Sequence, residues 1–123
     1  MIYFVLSRSG HVKIGYVKRS LFKRFRLLQV GNPHPITLIG LQKGDKKREA
    51  EIHSMFRKWR YRSEWFHQSR EILTFACDGG FLQHYRDEID KCFGVTVDDT
   101  WKVFEFERGI PECYDNHPMR TLN

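Results

Sequence analysis

The sequence predicts an α+β domain: a short three-stranded antiparallel sheet flanked by helices, followed by a C-terminal extension. Three observations carry that expectation. Apolar and polar residues alternate on both sides of Arg8-Ser9-Gly10, as in a hairpin. Two later segments place apolar residues at helical spacing behind a capping Ser or Asp. The resulting order of strand, strand, helix, strand and helices packs most simply as helices layered on a sheet.

Residues 2–7 and 11–16 form the expected hairpin. A three-residue loop ending in glycine suits a type I turn followed by a left-handed residue. That register pairs Ser7 with His11, Val5 with Lys13 and Tyr3 with Gly15. One face then carries Phe4, Leu6, Val12 and Ile14; the other carries Tyr3, Val5, Ser7, His11, Lys13 and Gly15. A slip of one residue would mix the two sets, so the pattern selects the register. Ser20 caps a helix over 21–29 whose inward stripe is Leu21, Phe22, Phe25 and Leu28, and which ends at Gly31-Asn32-Pro33. Residues 35–42 read as a buried third strand. Gly44-Asp45 opens a second helix over 46–59, with Ile52, Met55, Phe56 and Trp59 on its inner face. Ser69 caps a short third helix, which Gly79-Gly80 interrupts; a fourth is expected over 81–92, burying Leu82, Tyr85 and Ile89. The extension from Phe93 holds one alternating stretch, Trp101 to Glu107, read as a strand, and is expected to fray after Gly109. The expected division is residues 1–92 as the main domain and 93–123 as an extension, either within the same globule or serving a homodimer.

A chain of 123 residues with 41% hydrophobic residues can bury a core without staples. Its apolar runs stay well short of the ~18 residues of a membrane span, so no membrane partner is expected. Cys77, Cys92 and Cys113 are odd in number and dispersed, which fits a reduced, cytoplasmic setting rather than a disulfide framework. Charge says more. Residues 1–70 hold 16 basic and 4 acidic side chains, whereas 71–123 hold 5 basic and 11 acidic. A first half this basic points to a polyanionic partner, most simply nucleic acid. The clusters are Lys18, Arg19, Lys23, Arg24 and Arg26; Lys43, Lys46, Lys47 and Arg48; and Arg57, Lys58, Arg60 and Arg62. Among the interleaved aromatics (Phe22, Phe25, Phe56, Trp59, Tyr61 and Trp65), most are expected in the core.

Dinucleotide-binding, P-loop, nucleophile-elbow and zinc-peptidase motifs are missing, which argues against those enzyme classes. Tyr3, Lys13, Arg24 and Glu49 then stand out beside the basic clusters. Helix geometry alone does not choose between Arg24 and Arg26, both about 95–105° from the apolar stripe. It slightly favours Glu49, about 70° from its stripe, over Glu51 at about 90°. Taken singly, Tyr3 reads first as a strand aromatic packing under a helix and Lys13 as a solvent-facing strand residue.

In order, these residues resemble the GIY-YIG nucleases, most closely the branch with phage-type T5orf172 domains. Ile2-Tyr3-Phe4 stands at the first motif and Lys13-Ile14-Gly15 at the second. Arg24, within 23–33 (KRFRLLQVGNP), stands at the helix arginine and its Q-x-G-N-P turn. Glu49 and His53 stand at the E-x-x-x-H segment, and Glu64-Trp65-Phe66 at the E-W-F ending. The resemblance covers roughly residues 1–75. Lys13 replaces the second motif's tyrosine, as in some restriction-enzyme members, Met1-Ile2 replaces the first motif's glycine, and Leu28 takes a place where some members carry His or Tyr.

The resemblance implies metal-dependent hydrolysis of DNA phosphodiesters leaving a 5′-phosphate. Tyr3 would be the general base, with Lys13 beside it lowering a phenol pKa that is ordinarily ~10. Arg24 would neutralise charge on the phosphoryl oxygens. Glu49 would hold one Mg²⁺ or Mn²⁺. Tyr16, Arg26 and His53 are auxiliary candidates. Lys18, Arg19, Lys23, Arg26, Lys46, Lys47, Arg57, Lys58, Arg60 and Arg62 are expected to contact nucleic acid. Glu64 is expected to act as a cap or salt-bridge residue, and His67, His84, Cys77 and Cys92 as structural ones. Two other readings stay open: a non-cleaving nucleic-acid-binding module of the same fold, and a protein inhibitor or adaptor working through its acidic half.

Overall fold

The computed structural model describes residues 1–77 and 109–110. Their core is an antiparallel sheet of five strands: β1 (Ile2–Ser7), β2 (His11–Tyr16), β3 (Ile36–Gln42), β4 (Arg60–Arg62) and β5 (Trp65–His67). Three helices accompany it: α1 (Leu21–Val30), α2 (Lys46–Met55) and α3 (Arg70–Cys77). The strand order is β3-β1-β2-β5-β4. The class is as expected, but the sheet is larger by β4 and β5. Those strands are three residues each, too short to show an alternating pattern.

The hairpin has the expected register, with Tyr3 opposite Gly15, Phe4 opposite Ile14 and Val5 opposite Lys13. Gly10 sits at φ +88, the left-handed position that the loop requires, and its N–H donates to the Ser7 carbonyl at 2.9 Å. Every residue of β1 is buried, because β2 and β3 flank it and packing covers both faces. The pairing of β1 with β3 shifts between Phe4 and Val5, a local irregularity in an otherwise continuous ladder.

The Ser20 hydroxyl accepts from the Lys23 N–H and caps α1, and the Asp45 carboxylate does the same for α2 through Arg48 N–H. The Ser69 hydroxyl accepts from Ile72 N–H at the start of α3. Leu21 is fully buried, with Phe22, Phe25 and Leu28 packed against the core. α2 is shorter than its apolar spacing suggests: it stops at Met55, and a single 3₁₀ turn follows over Arg57–Trp59. This tightening buries Ile52 and Phe56 and leaves Met55 half exposed, so Met55 is no core residue. Tyr61 is likewise exposed instead of buried.

α3 seals one face of the sheet. Phe75 meets Phe4 edge-on at 5.9 Å between ring centres and Phe56 at 5.2 Å. A Cβ at Gly40 would collide with the backbone carbonyl of Ala76, so only glycine lets this helix approach β3. Gly109 runs parallel to β3, its N–H donating to Ile36 and its carbonyl accepting from Leu38. Among the described residues, no helix is long and apolar enough to cross a membrane. The expected fourth helix, the strand over 101–107, the boundary at residue 92 and most of the acidic half lie outside the described residues.

Candidate active site

Tyr3 and Phe4 are neighbours in an extended strand and therefore point to opposite faces. Phe4 goes beneath α3; Tyr3 goes to the other face, where its ring lies across Gly15 on β2. A Cβ at Gly15 would run into the ring carbon Cζ and the phenol oxygen. The glycine of the second motif is thus a steric requirement of the tyrosine of the first.

α1 carries Arg24 over the same spot. Its guanidinium, on the exposed side of the helix, attracts the phenol and donates a hydrogen bond to its oxygen. Only 1% of Tyr3 reaches solvent. Burial pushes the phenol pKa up to about 12; Arg24 opposes the shift, and the carboxylates of Glu64 and Glu49 reinforce it. Four groups from four parts of the chain therefore share one electrostatic neighbourhood.

Glu49 lies in the first turn of α2 and is half-buried. Its carboxyl is held above the ordinary range chiefly by burial and then by Glu64, against the opposing pull of His53, Lys13 and Lys46. His53, one turn later, donates from Nε2 to the Ile14 carbonyl at 2.7 Å and packs edge-on against Phe66. It ties α2 to β2, which leaves Nδ1 as the ring atom open to other work.

Lys13 departs from expectation. It was expected to lower the Tyr3 pKa, but its ammonium lies 2.9 Å from the Glu64 carboxylate and 5.8 Å from the centre of the Trp65 ring. Glu64 is brought there by backbone pairing, since its carbonyl accepts from Ile14 N–H. Set against Glu64, Lys13 does not lower the phenol pKa, which burial raises instead. Glu64 is the salt-bridge residue expected, and its charge reaches both Tyr3 and Glu49 as well. The role of Gly15 went unread, although the Lys13-Ile14-Gly15 motif displayed the residue.

A cleft of about 460 Å³ opens beside this cluster, lined by Val17, Lys18, Arg19, Ser20, Lys23, Arg24 and Leu27. It brings three of the expected nucleic-acid contacts, Lys18, Arg19 and Lys23, to the outer side of Arg24. Arg26, Lys46, Lys47, Arg57, Lys58, Arg60 and Arg62 are all exposed. Of these, Lys58 lies 3.8 Å from Glu71 and 4.5 Å from the centre of the Trp59 ring, and Arg60 donates from Nε to the Ser63 carbonyl. Tyr16 ends β2 half-buried opposite Ile2. Cys77 is buried against the Ile39 carbonyl, as a structural residue would be. His84 and Cys92 lie outside the described residues.

The donor chemistry suits a hard divalent ion. Glu49 is an oxygen ligand whose ionised form is disfavoured by burial and by a second carboxylate, and a cation would relieve both effects. Among the described residues no group of three or more His, Cys, Asp or Glu side chains is placed to hold a metal. One carboxylate plus substrate oxygens is nevertheless the usual way Mg²⁺ is held.

Among protein families, the T5orf172 domain matches over residues 1–97. No curated protein and no solved structure matches the chain.

Proposed function

The chain belongs to the T5orf172 domain family, and from that premise we propose that it is a GIY-YIG-type endonuclease hydrolysing DNA phosphodiesters with one divalent cation. The family is associated with nuclease-related, nucleic-acid-directed proteins. The observation that carries the proposal is the meeting of a phenol, a guanidinium and two carboxylates around Tyr3, beside a basic cleft.

In this reading, Lys18, Arg19 and Lys23 draw the phosphate backbone into the cleft, a sequence-independent and salt-sensitive attraction. Arg24 turns its planar fork to the scissile phosphate and offsets the charge that builds on its oxygens. Glu49 would hold Mg²⁺ or Mn²⁺, which supplies Lewis-acid polarisation of the phosphate and stabilises the leaving oxygen. Tyr3 takes the proton from the attacking water. With its pKa at about 12 the resting phenol is protonated at neutral pH. A base there needs its burial relieved first, because only 1% of Tyr3 reaches solvent and an attacking water must meet the phenol oxygen, and then the influence of Glu64 and Glu49 offset. Lys13 fixes the Glu64 carboxylate and so sets how much negative charge the site retains.

Nicking of supercoiled plasmid in Mg²⁺ and Mn²⁺ tests the proposal. Wild type should nick, chelator should stop it, and Arg24→Ala should cut about 10²–10³-fold more slowly while remaining folded. A Glu49→Ala protein that nicks as fast as wild type overturns it. The raised phenol pKa and the committed Lys13 favour one second reading, a binding module that does not cleave. It predicts salt-sensitive DNA binding with no nicking in either metal.

A further inference from the structure

Beyond Lys13 the same sheet face continues into a group of rings that the catalytic reading does not use. His11 and Tyr61 stack with centres 4.1 Å apart and planes 22° from parallel. His67, directly across from His11, meets Tyr61 edge-on at 5.1 Å. The Ser9 hydroxyl lies 2.9 Å from His11 Nδ1 and holds that ring in place. Tyr61 itself is 53% exposed, although His11 covers one side of its ring. It sits between Arg60 and Arg62, both exposed, on the outermost strand. A core aromatic would be buried, and a solvated charged edge has no need of a stacked pair of rings.

We propose that His11, Tyr61 and His67 form a stacking platform for an unpaired nucleotide of the substrate strand, with the positive charge of the exposed β4 edge attracting its phosphates. The proposal rests on the nucleic-acid reading above and adds a substrate class to it. A base inside a duplex offers its edges but not its faces, so a platform that accepts a π-face selects single-stranded, frayed or branched DNA. The ordered His11–Tyr61 pair lowers the entropy lost on binding, because the ring that receives the base is already supported. Position fits as well. His11 is four residues from Gly15 along β2, about 13 Å at strand rise. That span corresponds to about four nucleotide steps at the rise of a stacked strand. One strand can therefore reach both places.

The test is a binding titration of the full chain in chelator, with a single strand carrying 2-aminopurine and a duplex of the same sequence. Wild type should bind the single strand and quench the 2-aminopurine. Tyr61→Ala should weaken single-strand binding roughly 5- to 150-fold and abolish quenching, with duplex binding changed less than about twofold. Tyr61→Phe, which keeps the ring, should behave as wild type. Equal losses on both DNAs in Tyr61→Ala, or none on the single strand, overturn the platform while leaving the nuclease reading intact. Quenching by a protein that nicks in neither metal supports the platform and removes the nuclease reading. Failure of wild type to bind either DNA overturns both.

Discussion

The two ends of the sheet are built on opposite terms. At the β3–β1 end, residues such as Phe4, Ile36, Leu38 and Leu41 have no exposed surface, and α3 presses its backbone onto Gly40. At the β5–β4 end, strands of three residues present Arg60, Tyr61 and Arg62 to solvent, and only Phe66 is fully buried. The candidate site lies on the seam, with Tyr3 on the dry strand and Lys13, Glu64 and Trp65 on the wet side. The contrast teaches where each property of the site originates. Burial on the dry side sets how tightly Tyr3 holds its proton; the wet side supplies the charges, of which Lys13 and Glu64 are already paired with each other.

The largest expected effect would come from breaking the dry end. Gly40→Ala forces Ala76 and α3 away from β3 and should lower the unfolding free energy by about 3 kcal/mol or more in urea. Arg62→Ala, at the wet end, should stay within about 0.5 kcal/mol of wild type. Equal effects from the two substitutions would end the comparison.

A smaller effect tests the seam. The Tyr3 pKa is higher folded, about 12, than unfolded, about 10, so the native state holds this proton more tightly. The resulting stabilisation is complete below pH 10 and is lost as pH rises to 12. Wild type should therefore lose about 2–3 kcal/mol across that window that Tyr3→Phe does not lose. Denaturant titrations of both proteins at a series of alkaline pH values read the difference directly.

The smallest effect sharpens the contrast at Glu49. Its carboxyl is also raised in the fold, so ionisation costs stability above its unfolded pKa, near neutrality included. Solvent still reaches this group, so Glu49→Gln should stabilise the metal-free protein by less than about 1 kcal/mol. Mg²⁺ or Mn²⁺ should raise the melting temperature of wild type at neutral pH and leave that of Glu49→Gln unchanged. A similar rise in both would place the cation elsewhere.

Legibility in the sequence follows the same divide. The hairpin register could be read in full because it gathers Phe4, Leu6, Val12 and Ile14 on one face, a set that a slip of one residue would break up. The Ser20, Asp45 and Ser69 caps were legible because each side chain bonds an N–H only three residues away. β4 and β5 were not legible: β5 is held by β2, far along the chain, β4 is held by β5 alone, and Arg60, Tyr61 and Arg62 carry no apolar signal. The choice of Arg24 over Arg26 came from motif spacing alone, and Arg24 is the one that reaches the phenol. What spacing could not convey was the charge state. The sequence put an amine within reach of Tyr3, but it did not reveal that the Lys13 ammonium would settle on Glu64.

The empty place above Gly15 bears on how substitution data for this protein should be interpreted. Residue 15 has no side-chain proton, charge or donor, yet a single added methyl there evicts the Tyr3 ring from its pose. Under the proposed function, a mutational scan scored on nicking would rank it beside Arg24 and Glu49, and intolerance to change would look like participation in chemistry. Vacant volume can be as indispensable to a site as a functional group, and only the neighbour that fills it reveals which of the two is being measured.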